Sequence, residues 1–286
     1  MSSAKPRPYS LKIFLVDGDP DGMRIIEKSN WNGMGVFIPR AALASAKSIK
    51  ELERPAVYVL VGKEENGVQP MIYIGQGETL SRLSRHVAKK DFWSHCVAFT
   101  SKDRNFNKAH AEHLEARLIE LATVAKRCSL DNKKPEKLPD LSEADQAEAE
   151  GFLDELLLCL PVLGLHVFSP ADASIAKSRL SLQLSGKGMS AQGAYTTEGL
   201  VVHKGSQAAM DTVPSCHLYL KQLREALLQN GVLKKKGDSL VFTQDYSFES
   251  PSTAASIVLG RAANGRVEWK TPAGITLKDV QEKELG

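Results

Sequence analysis

The sequence predicts an α+β protein built in two parts, and three observations carry that reading. Short apolar runs bounded by Gly, Pro, Asn and Asp recur at strand length. Longer stretches between Thr79 and Leu160 place their leucines at helical spacing. Ser169 to Ser190 is poor in aromatics and rich in Ser, Ala and Gly, the composition of a linker. The expected organisation begins with a strand-and-helix extension over 1–50, packed on a first domain over 51–168 with a short antiparallel sheet. A linker over 169–190 then leads to a second small mixed α/β domain over 191–286. A chain of 286 residues has room for two compact domains.

Taken in order, Leu11 to Val16 reads as a strand and Asp17-Gly18-Asp19-Pro20 as a turn. The acidic DGDPDG stretch lacks the twelve-residue ligand pattern of a calcium loop and its closing Glu, so the turn is preferred. Arg24 to Lys28 is read as a helical turn, Gly35 to Pro39 as a strand and Ala41 to Lys47 as a helix. Ala56 to Val61 and Met71 to Ile74 form a hairpin around Asn66-Gly67. Thr79 can cap a helix running to about Lys90 with Leu80, Leu83 and Val87 on one face. Cys96 to Thr100 alternates as a third strand, and Lys108 to Arg127 carries the stripe Leu114, Leu118, Leu121 and Ala125 of a long helix.

Lys133 to Pro139 is a loop, and Ser142 caps an acidic helix that turns apolar at Phe152. Beyond the linker, Ala194 to Lys204 reads as a hairpin around Glu198-Gly199, and Ser215 to Gln229 as a helix stopped by Asn230-Gly231. Leu240 to Thr243 is a strand, Ser252 to Leu259 a helix ended by Gly260, and Val267 to Lys270 a last strand.

Composition excludes more than it selects. A hydrophobic fraction of 42% and a charged fraction of 25% are ordinary for a globular chain. A net charge of +3 is compatible with a polyanionic partner without demanding one. Cys96, Cys128, Cys159 and Cys216 form no CxxC pair, against a zinc knuckle. The N-terminus MSSAKPRPYS lacks the apolar core of a signal peptide. The longest apolar run, Leu156 to Leu165, is broken by Pro161 and too short for a membrane span. The expectation is a cytoplasmic protein with reduced thiols and no membrane partner.

The residues that could carry chemistry gather between Tyr58 and Asn132. Arg82 and His86 lie four apart on one helix face, in a setting that also suits a plain solvated basic helix with Arg85, Lys89 and Lys90. Glu115 borders the buried stripe of its helix and has Leu118, Ile119 and Ala122, not Lys or Arg, at the following helical positions. A carboxylate so placed needs a metal or a tertiary cation. Tyr58 and Tyr73 fall on the two hairpin strands. Hydrolysis of a phosphodiester needs an activated water and neutralisation of the charge that builds on phosphate, for which a hard cation on carboxylate oxygen is the common device.

The tripeptide Ala56-Val57-Tyr58, the hairpin, Tyr73-Ile74-Gly75, GETLSRLSRH, HLEARLIELA and LDNKKP occur in an order that resembles the GIY-YIG nuclease superfamily. The resemblance covers roughly Arg54 to Leu163, with Ala56 where that family has its first glycine. It implies a small GIY-YIG-type α/β/α nuclease domain using one Mg²⁺ (or Mn²⁺). Tyr58 is implied as the base or water-orienting group, Tyr73 as the second motif tyrosine and Arg82 as the phosphate-facing arginine. His86 fills the position often held by His or Tyr, Glu115 is the metal-binding carboxylate, and Asn132 is the asparagine that completes the site. Arg82, His86 and the metal are each expected to favour the Tyr58 phenolate.

SPSTAASIVLGRAANGRVEW resembles a small domain of unknown function appended to some of these nucleases, and restriction-adenine-methylase-associated domains. That implies nucleic-acid binding, with Arg85 and Lys89 in the first part and Lys234, Lys235, Lys236, Arg261 and Arg266 in the second as phosphate contacts. The plainer reading makes Trp269 a core residue and Lys234 to Lys236 a solvated loop. The leading expectation is a metal-dependent endonuclease acting on DNA. Its alternative is a catalytically silent nucleic-acid-binding protein on the same scaffold; a structural or adaptor role comes third. Oligomeric state is left open.

Overall fold

The computed structural model describes residues 8–63, 69–103, 105–132, 139–169, 180–186 and 188–285. The fold is α+β, with seven helices and three sheets among these residues. The chain divides into two compact units, the first comprising residues up to Thr123 together with Cys128–Phe168, the second Val124–Arg127 and the chain from Ser169 onward.

The first unit is organised on a seven-stranded sheet in the order β1-β2-β3-β6-β4-β5-β7. Its strands are β1 (Leu11–Leu15), β2 (Arg24–Lys28), β3 (Gly33–Pro39), β4 (Pro55–Lys63), β5 (Pro70–Glu78), β6 (Trp93–Ser101) and β7 (Ser129–Leu130). Pairing is antiparallel except between β5 and β7. The sheet is therefore longer than the short antiparallel one expected. The N-terminal segment is part of it, since β3 pairs with β6 from Gly33↔Ser101 to Pro39↔His95.

Residues 24–28 are a strand and not a helical turn: Ile26 is buried and its neighbours are half-buried, as befits a strand between β1 and β3. The helix expected near 41–47 is three 3₁₀ turns, Arg40–Ala42, Ser45–Ser48 and Lys50–Glu53, burying Ala46 and Leu52. Asn66-Gly67 and the 133–138 loop lie outside the described residues, although β4 and β5 do pair as a hairpin closing at Lys63↔Pro70.

Three helices complete the unit: α1 (Thr79–Val87), α2 (Lys108–Ala125) and α3 (Glu143–Cys159). Because side chains alternate along a strand, β4 serves two cores. Val57, Val59 and Val61 join Ile72, Ile74, Leu114, Leu118, Leu153 and Leu156 on the α2 and α3 side. Tyr58 and Leu60 join Leu83 of α1 with Ile49 and Leu52 on the other. A sheet buried on both faces explains why β4 reads as a continuous apolar run. Ser142 caps α3 as expected, its hydroxyl accepting from the Asp145 N–H. Thr79 does not cap α1; Glu78 occupies that position without a side-chain cap, and the Thr79 hydroxyl is buried without a partner.

The second unit holds two small antiparallel sheets. One has the order β14-β10-β9-β8, from Tyr246–Phe248, Gly199–Val202, Met189–Thr196 and Leu180–Gly186. The other has the order β11-β13-β12, from Gln207–Ala209, Ser239–Phe242 and Leu233–Lys236. Residues 180–186 and 189–190 are thus strand and not linker. The alternation of Leu180, Leu182 and Leu184 with polar residues is the strand period, and Leu182 and Leu184 are buried.

Helices α4 (Leu218–Gln229), α5 (Pro251–Leu259), α6 (Gly265–Glu268) and α7 (Leu277–Leu285) pack with them. The strand expected at 267–270 is instead α6 followed by isolated bridges at Lys270. Asn264 caps α6 by accepting from the Arg266 N–H, and Trp269 is fully buried with its Nε1–H on the Pro251 carbonyl at 3.2 Å. Lys234 to Lys236 form an edge strand and not a loop.

Candidate active site

The site expected in the first unit is assembled from β4, β5, α1, α2 and the chain after β7. Tyr58 is almost fully buried, and its ring lies where a side chain at residue 75 would be: a Cβ there would sit 2.5 Å from the Tyr58 hydroxyl. The glycine that closes Tyr73-Ile74-Gly75 is therefore the space that Tyr58 fills, with Tyr58 and Gly75 directly paired across the strands. From α1, Nε2 of His86 meets the Tyr58 hydroxyl at 2.8 Å. The Tyr73 ring is 4.9 Å from that imidazole and 6.4 Å from the Tyr58 ring, so the three rings form one cluster.

Burial governs the protonation of this cluster. It pushes the Tyr58 phenol far above its ordinary range, and the nearby Arg82 charge opposes it only in part. Burial also raises Tyr73, reinforced by Glu115. His86 is lowered to about 4 by burial and by its neighbours Lys90, Arg82 and Arg85. At neutral pH His86 is an uncharged imidazole and supplies no positive charge. Of the groups expected to favour the Tyr58 phenolate, Arg82 acts in that direction and neutral His86 does not; burial outweighs Arg82, so the hydroxyl keeps its proton and shares a hydrogen bond with His86.

Glu115 lies on α2 and is half-buried, without a hydrogen bond or ion pair among the described residues. Burial raises its carboxyl to about 7, with Arg82 pulling the other way and Glu112 adding to the rise. Arg82 is half-buried too, lies over Gly77, and has no hydrogen-bond or ion-pair partner among the described residues. Two opposite charges in one neighbourhood, neither of them committed to a partner, are an arrangement that a purely structural ion pair would have closed.

Asn132 is tied to β5. Its Oδ1 accepts from the Ile74 N–H at 2.7 Å and its Nδ2 donates to the Ile74 carbonyl at 2.6 Å. Both ends of the amide are spent holding β5 next to Tyr73, which makes Asn132 a positioning residue. Beside it, Asp131 pairs with Lys90, whose Nζ also sits 4.2 Å from the centre of the Tyr73 ring.

Sequence reasoning missed Lys108. With Arg82, Arg85 and Ser81 it lines a cavity of about 270 Å³, which also holds Gln76. The Oε1 of Gln76 is buried without a partner. No local pattern relates Lys108 to Arg82, because the start of α2 and the first turn of α1 meet only in the folded chain. Arg85 is exposed and bonds back to Ser81 at 3.2 Å, and Lys89 is exposed.

Cations of the second unit are differently placed. Arg261 pairs with Glu268 at 2.7 Å, and Arg266 bonds Gln281 at 2.8 Å with Glu282 at 3.9 Å. Lys234, Lys235 and Lys236 are exposed.

Residues 182–281 match the family model described as Domain of unknown function (DUF4357), a wider span than the 250–269 stretch that carries the sequence resemblance. No GIY-YIG family model matches the chain. No curated protein and no solved structure matches it either. No helix among the described residues is long and apolar enough to cross a membrane.

Proposed function

We propose that residues 51–168 form a phosphodiester hydrolase of the GIY-YIG type, a metal-dependent endonuclease acting on DNA, and that the DUF4357-like region helps hold the nucleic acid. The observation that carries this reading is the 2.8 Å bond between Tyr58 and a neutral His86, beside a cleft lined by Arg82, Arg85 and Lys108. The bond offers a path for a proton and the cleft offers cations for a phosphate, two needs of phosphodiester hydrolysis that support the reading. The order of the sequence motifs adds to it.

In this reading Arg82, Arg85 and Lys108 receive the phosphate, with Arg82 nearest the reacting centre. Tyr58 takes the proton of the attacking water as it passes its own proton to Nε2 of His86, so no free phenolate accumulates. A bound phosphate, by offsetting Lys90, Arg82 and Arg85, raises the basicity of His86 above its resting value of about 4 and so favours the relay. Asn132 keeps β5, and with it Tyr73, in register. Glu115 fits a hard divalent cation in that its carboxylate is uncommitted; Glu115 would hold Mg²⁺ or Mn²⁺ with waters completing the shell. Such an ion, when bound, neutralises charge that builds on the phosphate.

The alternative is a nucleic-acid-binding protein that does not cut, and the deep burial of Tyr58 is the observation that favours it. The deciding experiment incubates the protein with Mg²⁺ or Mn²⁺ and labelled single- and double-stranded DNA and RNA, with Glu115→Gln in parallel. Cleavage by the parent and none by the variant, with nucleic-acid retention equal in both, is the expected result. Equal retention with no cleavage by either supports the silent scaffold.

A further inference from the structure

One aromatic-walled cavity of the first unit is not part of the site above. It holds about 360 Å³ and opens between the turn before β3, the end of β6, and helices α2 and α3. None of Tyr58, Tyr73, Arg82, His86 or Glu115 lines it. Its walls are Trp31, Phe106 and Phe152, with Phe152 centred 4.9 Å from Trp31 and 4.7 Å from Phe106. Asn32, Asn105 and His110 contribute polar atoms. Gly33 is what lets the indole lie there, because a Cβ at that position would overlap the Trp31 ring.

Two buried nitrogens at this cavity are poorly satisfied. Trp31 Nε1 has no hydrogen-bond partner among the described residues. His110 is almost wholly buried, and its Nδ1 accepts from the Asn107 N–H at 3.4 Å, so a neutral ring carries its proton on Nε2. That Nε2 lies 3.5 Å from an Asp145 carboxylate oxygen, a long contact that helps to lower the Asp145 carboxyl. A buried donor left open is costly, and a cavity that keeps the Trp31 N–H open and the His110 N–H on one long contact suits a ligand bringing acceptors. Asn32 donates its amide N–H to Asp103 at 2.6 Å, which leaves its carbonyl oxygen for a donor on the same ligand.

The charges nearby discriminate further. Glu148 lines the cavity, and Asp145 and Asp103 flank it, with Asp103 held well below the usual carboxylate range by bonds from Ser101 and Asn32. A phosphate would meet no Lys or Arg among the residues lining this cavity, whereas the Arg82 cleft offers Arg82, Arg85 and Lys108 beside Glu78. What fits is an uncharged, flat heteroaromatic ring with acceptors on its edge that stacks on aromatic side chains. We infer that this cavity binds a purine or pyrimidine base. His110 and Glu115 are five residues apart on α2, about 7.5 Å along its axis. A base still attached to a nucleic-acid strand and a free nucleoside share the recognised chemistry.

Tryptophan emission tests this directly, because Trp93 and Trp269 are 1% and 0% exposed and only Trp31 can meet a ligand. The full chain, in chelator, is titrated with the common nucleosides, with a short single-stranded oligonucleotide, and with the same oligonucleotide made abasic. A change of emission with a nucleoside, or with the base-bearing but not the abasic strand, is the expected result. A nucleoside effect alone identifies a free ligand, and a strand effect alone an attached base; either supports the inference. Asn105→Ala, at an exposed position, should weaken that binding about fivefold or more, the size of one lost hydrogen bond. Trp31→Phe, followed by calorimetry, should do the same by removing one donor. The inference is overturned if neither nucleosides nor strands alter the emission, if base-bearing and abasic strands both alter it to the same extent, or if Asn105→Ala and Trp31→Phe both bind as the parent does. No catalytic residue enters the measurement, so its failure leaves the nuclease reading untouched, and the reverse.

Discussion

The charged groups of the candidate site in the first unit and the buried or paired arginines of the second are handled in opposite ways. In the second unit Arg224 is buried on α4 and spends its guanidinium on the carbonyls of Ile257, Ala209 and Met210. Burial lowers its pKa, and the three carbonyls satisfy the N–H groups it would otherwise leave open. Arg127 pairs with Glu198 at 3.1 Å and Arg261 with Glu268, so these arginines hold loops and helix ends together. In the first unit Arg82 and Glu115 are half-buried and keep no such partners among the described residues. Charge committed to carbonyls and carboxylates reads as structure, whereas charge left open in a cleft reads as a place for something else. Arg261 and Arg266, expected to be phosphate contacts, are partly exposed and engaged with Glu268 and with Gln281 and Glu282.

The sharpest way to break the comparison is to remove the uncommitted groups. Tyr58→Phe and Arg82→Ala should each slow cleavage by about a hundredfold or more, in single-turnover assays with the fold checked by circular dichroism. Arg261→Ala should leave the rate unchanged and lower stability by about 1 kcal/mol at most, as for a partly exposed ion pair. If Tyr58→Phe cuts normally while Tyr73→Phe is dead, the more accessible Tyr73 is the group that meets the water. Next in size, Arg85→Ala with Lys108→Ala should raise KM about tenfold with little change in kcat, since both line the cleft away from the reacting pair.

A smaller effect concerns pH. Folded Glu115 keeps its proton up to about 7, above the ordinary carboxylate value, so the native state binds more protons than the unfolded chain in between. Stability from this group is therefore full below the unfolded pKa and declines as pH rises through 7. Without metal, Glu115→Gln should melt about 2–4 °C higher than the parent at about pH 8. The two should converge below about pH 4, where the parent carboxyl is protonated folded or unfolded. A Tm difference that does not change with pH would show that Glu115 is not the group titrating.

The smallest effect is expected from Lys234, Lys235 and Lys236. These lie on the exposed edge strand β12, where lysines also discourage pairing with other chains. Replacing all three with Ala should leave cleavage of saturating DNA intact and make binding less salt-dependent, by about one in log–log slope for each phosphate that a lysine had neutralised. An unchanged slope would mean that the edge lysines serve only to guard the sheet.

Local pattern determined a good deal. The strands at 56–61, 71–74 and 96–100, the helices α2, α3 and α5 and the Ser142 cap follow from period, punctuation and capping chemistry, which act over a few residues. So did the choice of Tyr58, Tyr73, Arg82, His86 and Glu115 as residues to watch, although that choice leaned on motif order as well. The misreadings share one cause. Residues 24–28 have no neighbours of their own until β1 and β3 flank them, and 267–270 were drawn into α6 and the Trp269 packing by the Asn264 cap and the Pro251 carbonyl. Leu180–Gly186 looks like linker until β9 supplies its partner.

The site divides the same way. Sequence could name the side chains but not their protonation, because the burial that keeps Tyr58 a phenol and His86 an imidazole arises only when both sheet faces are covered. Nor could it show that Gly75 makes room for Tyr58, that Asn132 is spent on Ile74, or that Lys108 joins Arg82 and Arg85. Those are meetings of residues far apart in the chain, and desolvation, close approach and shared charge depend on distance in space, which local sequence preference does not encode.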